Sequence, residues 1–138
     1  MRYPSRAQSP VKGSRTDVAL DYVVNVSETR SGPVELVKVA GEVDLANAEE
    51  LREAIETPNL STRLGIVLDL RLVPFMDSSG LGTLLKAAQG IGSRLVLIIE
   101  PGSPVASLFE LSRVENMVNI AATEEQALAL LDGAGPSS

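Results

Sequence analysis

Two short runs, residues 64–70 and 94–99, are built almost wholly from Leu, Ile and Val. Strands with this texture are buried on both faces, which requires a parallel sheet with helices packed against it. The segments between and around them fit that demand. Residues 18–26 place Val18, Leu20, Tyr22, Val24 and Val26 at period two, which predicts a half-buried strand carrying five core-facing side chains. Ser31-Gly32-Pro33 is a turn signal, so residues 34–39 form a second strand paired to the first as a hairpin, interrupted at Gly41. Asp44 stands where an N-cap would, ahead of a helix over residues 46–57 that Pro58 closes. A second helix carries Leu81, Leu84, Leu85 and Ala88 on one face and ends at Gly90 and Gly92. Pro101-Gly102-Ser103-Pro104 opens a third, residues 118–121 make a short edge strand, and Thr123 caps a last helix reaching Leu131, with Gln126 at the capping-box position. The order is β-β-α-β-α-β-α-β-α, a small α/β layer fold. Its sheet should be mixed but mostly parallel, with about five strands and about four helices mainly on one face.

The 138 residues suit one domain, over residues 17–132. Residues 1–16 and 133–138, rich in Ser, Pro and Gly, are expected to be disordered tails. The first holds Arg2, Arg6, Lys12 and Arg15 and no acid, so it carries +4. Subtracting it from the chain's 12 cations and 18 acids leaves eight against eighteen, or −10. So acidic a body repels a phosphate backbone, and no direct contact with nucleic acid is expected; a basic arm for nucleic acid is the rival reading of the tail. The start of the chain is polar and broken by Pro4 and Pro10, unlike a signal sequence, and the longest apolar run, residues 95–99, is only strand-sized. A cytoplasmic protein without membrane contact is expected.

Histidine and cysteine are absent. Their absence excludes Ser-His-Asp and Cys-His catalysis, thiolate chemistry, disulfides and the common zinc sites. The segment from Leu68 to Gly82 runs off a central strand into a helix start, the place where open α/β sheets meet ligands and partners. It sets Asp77, Ser78 and Ser79 at a helix N-terminus, where the dipole favours negative charge. The plainer reading makes Asp77 or Ser78 a cap, with Gly80 and Gly82 allowing close packing. The chain has no Gly-Lys pair for a P-loop, Leu85 breaks a dinucleotide fingerprint, and the flanks of both serines fail the nucleophile-elbow pattern. Lys86, the one base in reach along the helix, lies two turns away. No catalytic residue, cofactor or metal is assigned.

Phe75-Met76-Asp77-Ser78-Ser79-Gly80-Leu81-Gly82 resembles the signature of the bacterial anti-sigma factor antagonists, founding members of the STAS domain family. Val39-Ala40-Gly41-Glu42-Val43-Asp44 is similar to the family's Gly-Glu-x-Asp segment, and the resemblance spans residues 18–131. It implies a STAS-type layer fold and a regulatory switch without a catalytic site. The unphosphorylated form would bind an anti-sigma factor, commonly a serine kinase, and free a sigma factor. Phosphorylation of Ser78 would expel it, and a serine phosphatase would restore it. Asp44, Asp77, Ser79, Gly80 and Leu81 would form the partner surface of a monomer or weak dimer. Arg113 stands where many members have Gly, so the third helix is expected to end differently. Two other functions are open to the same fold: constitutive partner binding, and sensing of a small molecule such as a nucleotide, for which Arg71 is the only cation near the signature.

Overall fold

A computed structural model describes residues 20–134. Five strands, β1 (Asp21–Thr29), β2 (Gly32–Ala40), β3 (Gly65–Leu72), β4 (Leu95–Ile98) and β5 (Asn119–Ala121), alternate after the hairpin with α1 (Ala48–Glu56), α2 (Ser78–Ile91), α3 (Pro104–Ser112) and α4 (Glu124–Ala134). The sheet order is β1-β2-β3-β4-β5; β1 and β2 are antiparallel and every other pair is parallel.

Strand order equal to chain order fixes where the helices go. Three crossovers stepping in one direction, each right-handed, must all lie on one face. Leu51, Ala54 and Ile55 of α1, Leu81 and Leu84 of α2, and Val105 and Phe109 of α3 accordingly share one core with Ile66, Leu68 and Leu70 of β3 and with Leu95 and Leu97 of β4. Helix α4 follows the last strand and has no crossover to make. Its Ala127 and Leu131 pack on the other face against Val34, Val67, Val96 and Ile98. The expected five-strand sheet with helices mainly on one face is found, and the two Leu/Ile/Val runs are the strands covered from both sides.

Several local expectations need correction. Strand β1 begins at Asp21, and Val18 lies outside the described residues. Leu20 and Tyr22 are buried and Val24 half-buried, but Val26 is 47% exposed. Burial fades as this edge strand leaves α1, whose Glu50 accepts the Leu20 N–H at 2.8 Å. Helix α2 runs through Gly90 and stops at Gly92, which has φ 75°. The third helix ends as the family's glycine would end it, with Arg113 left-handed at φ 58° and ψ 42°. The Thr123 hydroxyl accepts the Gln126 N–H, while the Gln126 side chain accepts from Ala122, one residue upstream of the usual return. Helix α4 reaches Ala134, so residues 133 and 134 belong to it and not to a tail. The tail expected over residues 1–16, and residues 135–138, lie outside the described residues. No helix among the described residues is long and apolar enough to cross a membrane.

Candidate functional site

The site is built where two loops leave the carboxyl ends of β2 and β3. Gly41 N–H donates to the Leu72 carbonyl at 3.1 Å and Val43 N–H to that of Phe75 at 2.9 Å, while Asp77 N–H donates to Val43 at 3.0 Å. These bonds and the parallel bridge between Val43 and Met76 run the loops side by side. Val43 and Met76 are buried beneath them, so the pairing is anchored in the core.

Asp77 is the N-cap of α2. One carboxylate oxygen accepts the N–H groups of Ser79 at 2.8 Å and Gly80 at 3.4 Å. Ser78 is therefore the first helical residue, and it is exposed; Asp77 and Ser79 are half-buried. Gly80 is buried, and a Cβ there would stand 2.6 Å from Met76 Cγ and 2.7 Å from Val43 Cγ1. Its missing side chain lets α2 settle onto the bridge. Leu81 is 7% exposed and belongs to the core. Gly80 and Leu81, two residues that the resemblance assigns to the partner surface, are thus buried and hold the loop up from below.

Asp44 does not cap α1, which begins four residues later with Asn47 at the cap position. The Asp44 carboxylate accepts the Ala46 N–H at 3.0 Å, a tight turn within the loop. Asn47 does the bracing: it is 2% exposed. Its side chain accepts the Asp44 N–H at 2.9 Å and donates to the Glu42 carbonyl at 2.9 Å. Asp44 is left half-buried on the loop beside Asp77's strand of chain. Sequence reasoning passed over Asn47, although an Asn three positions past an acidic loop residue is an ordinary turn signal. It also passed over three large apolar side chains on these segments, Leu45, Leu72 and Phe75, which are 79%, 65% and 48% exposed. An apolar residue between Asp44 and Ala46, outside any hydrophobic period, was the available sign.

An open groove of about 600 Å³ runs from Leu45 and Ala48 across to Ser79, Gly82 and Lys86. Thr83 and Lys86 also line a second groove of about 520 Å³ between α1 and α2. On its rim Arg52 pairs with Glu49 and, at 2.7 Å, with Glu56; the guanidinium holds Glu49 below the usual carboxylate range.

Anion binding at this helix start is opposed from two sides. The N–H groups of Ser79 and Gly80, which would hold a phosphate, are already occupied by Asp77. Arg71, the nearby cation, forks onto Asp69 with its Nε at 2.9 Å and a terminal nitrogen at 2.7 Å. Asp69 is buried; burial pushes its carboxyl up, but Arg71's side-chain and backbone bonds, helped by Lys38, hold it below the usual range. No group of acidic side chains among the described residues is arranged to hold a metal.

A model of the STAS domain matches residues 25–127. The chain is 30% identical over 84 residues to an anti-sigma-B factor antagonist of Listeria monocytogenes, covering 59% of this chain and 74% of that one. Among solved structures it is similar to an anti-sigma factor antagonist from Mycobacterium paratuberculosis, with a TM-score of 0.67 and 22% identity over 82% of this chain and 96% of the other. The Bacillus cell fate determinant SpoIIAA in its phosphorylated form gives a TM-score of 0.50 and 25% identity over 77% and 96% of the two chains. With its signature at the head of α2 and three quarters of its length matched, the chain belongs to the STAS domain family.

Proposed function

We propose that this chain is an anti-sigma factor antagonist. The paired loops around Ser78 bind an anti-sigma factor, the sigma factor held by it is released, and a phosphate on Ser78 ends the binding. The observation that carries the reading is the exposed hydroxyl of Ser78 at the first position of α2, with Asp77 locked beside it as the cap. The names of the Listeria and Mycobacterium relatives support the antagonist role, and the Bacillus relative solved in a phosphorylated form supports phosphate as the switch.

The chain supplies the accepting hydroxyl and no catalytic group, so the anti-sigma factor, or a kinase acting with it, transfers the phosphate; a serine phosphatase removes it. Phosphate adds about −1.5 to −2 charge. Asp77 already occupies the N–H groups that could have compensated it, and Asp44 stands on the neighbouring loop. Burying that charge unpaired in an interface costs several kcal/mol, enough to lower affinity by roughly two orders of magnitude or more. Asp44, Asp77 and Ser79 surround the switch.

Intact mass after incubation with the anti-sigma factor, ATP and magnesium tests the assignment. Wild type and Ser79→Ala should gain one phosphate, and Ser78→Ala none while still binding. A phosphate that survives in Ser78→Ala and vanishes in Ser79→Ala overturns it. No phosphate on any variant makes the chain a constitutive binder.

A further inference from the structure

The chain ahead of the described residues carries charge of the sign that the switch lacks, and it enters the fold beside that switch. Residues 1–19 hold Arg2, Arg6, Lys12 and Arg15 against one acid, Asp17, a net +3. They join the body at Leu20, which is 2% exposed and packs into the core under α1, α2 and α3. Glu50, in the first turn of α1, holds its N–H at 2.8 Å. This entry point lies at the carboxyl end of the sheet. Asp21 is opposite Ala40 on β2, and Ala40 is opposite Leu72 on β3. Two strand spacings, about 9.5 Å, therefore separate Asp21 from the residue where the loop to Ser78 begins. Fully extended, the five steps back from Leu20 to Arg15 span up to about 17 Å, and the eight to Lys12 up to about 27 Å. The head of α2 is within that reach.

A phosphate on Ser78 finds no free counter-charge in the body around it. Asp77 has taken the N–H groups of Ser79 and Gly80. Arg52 is paired with Glu49 and Glu56, Arg71 forks onto Asp69, and Lys38 stands opposite Asp69 on the α4 side of the sheet. Lys86 is eight residues further down α2, about 12 Å along its axis. Asp77 and Asp44 already accept backbone N–H groups, so a phosphoserine dianion is the strongest acceptor at this end. Its oxygens also match the fork of a guanidinium.

We infer that Arg15 and Lys12 capture the phosphate of phosphorylated Ser78 in cis. The inference rests on the phosphorylation reading above and adds what holds the off state: a segment of the chain itself, drawn across the docking loops by the phosphate. Tethering gives the two cations an effective concentration in the millimolar range, so a contact too weak between separate molecules is populated within one. The segment precedes residues 25–127, the part that the STAS domain pattern covers, so the device belongs to this chain's own extension.

The test uses the full chain with phosphoserine incorporated at position 78 during translation, so no kinase is needed. Phosphorus NMR follows the second ionisation of the phosphate, ordinarily near pH 6. Capture favours the dianion, so Lys12→Gln and Arg15→Gln together should raise that pKa by about 0.5 unit or more, roughly threefold in proton affinity. Arg2→Gln with Arg6→Gln removes the same charge further from Leu20 and should do less than half as much. Lys86→Gln should have no effect. Equal pKa values in wild type and in the Lys12→Gln, Arg15→Gln protein overturn the capture. An equal shift from the Arg2→Gln, Arg6→Gln pair, or a shift carried by Lys86→Gln instead, overturns its assignment to Arg15 and Lys12. A wild-type value that changes on dilution places the phosphate on a second copy and overturns capture in cis. All of these outcomes leave the antagonist reading standing. That reading is decided by the mass experiment above, where no phosphate on wild type removes the switch and the capture with it.

Discussion

Arg113 holds a backbone conformation that side chains avoid. It is the one non-glycine residue with positive φ among those described, and it closes α3 with its N–H on the carbonyls of Glu110 and Phe109. A left-handed L-residue costs about 1–2 kcal/mol, against which glycine's greater freedom in the unfolded chain takes back about half. Arg113→Gly should therefore raise stability by about 0.5–1 kcal/mol, read as a higher denaturation midpoint at unchanged slope. The sequence showed an unusual residue at this position but suggested a different helix end; the C-cap bonds kept the geometry and put the strain on Arg113. Gly80 is the opposite case, a residue whose lack of a side chain is used. Gly80→Ala must push Met76 and Val43 apart by several tenths of an ångström and should cost about 1–3 kcal/mol. If Gly80→Ala melts with wild type, the close seating of α2 on the Val43–Met76 bridge is not a constraint. A single sequence separates these two roles poorly, since both are glycine positions in the family pattern and only the contact distances tell a turn from a tight fit.

At the scale of elements, the sequence was most legible where one physical effect dominated. Strands β3 and β4 announce themselves because burial on both faces leaves no polar alternation. Helix α1 was misplaced by two residues at its start, because Asp44, Ala46 and Asn47 are all plausible in a first turn and only the Asn47 side-chain bonds decide it. Strand β3 also hides an element of its own, the Asp69–Arg71 fork on the α4 side of the sheet. Asp69 has a folded pKa below its ordinary 3.8, so its contribution to stability is whole above that value and disappears as pH falls through the folded one. Wild type should lose stability steeply below about pH 4. In Asp69→Asn the fork is weakened at every pH, so that variant should be less stable at pH 7 and lose less between pH 7 and pH 3. Denaturation midpoints at those two pH values check it. Parallel losses for the two proteins would mean that other carboxylates carry the acid sensitivity.

The molecule as a whole separates a rigid body from a surface that can change charge. Two cores, one under α1, α2 and α3 and one under α4, lie on either side of a single sheet, and neither includes Ser78. The loops at the sheet's carboxyl end are tied to one another by backbone bonds and to the core through Val43 and Met76. Charge added at Ser78 therefore meets solvent and the Asp77 carboxylate, and no packed side chain has to move. The helix dipole favours a negative group at the first position, while Asp77 beside it repels one; each effect is worth about 0.3–1 kcal/mol at an exposed site. The two nearly cancel. Ser78→Glu should then shift the melting temperature by no more than about 2–4 °C, and backbone amide shifts should change only near residues 42–48 and 75–83. Binding to the anti-sigma factor should nevertheless fall by roughly two orders of magnitude. Amide shifts spreading into β4 or α4, or a large drop in melting temperature, would show that the charge acts by disturbing the fold. The sheet would then be part of the switch and not merely its support.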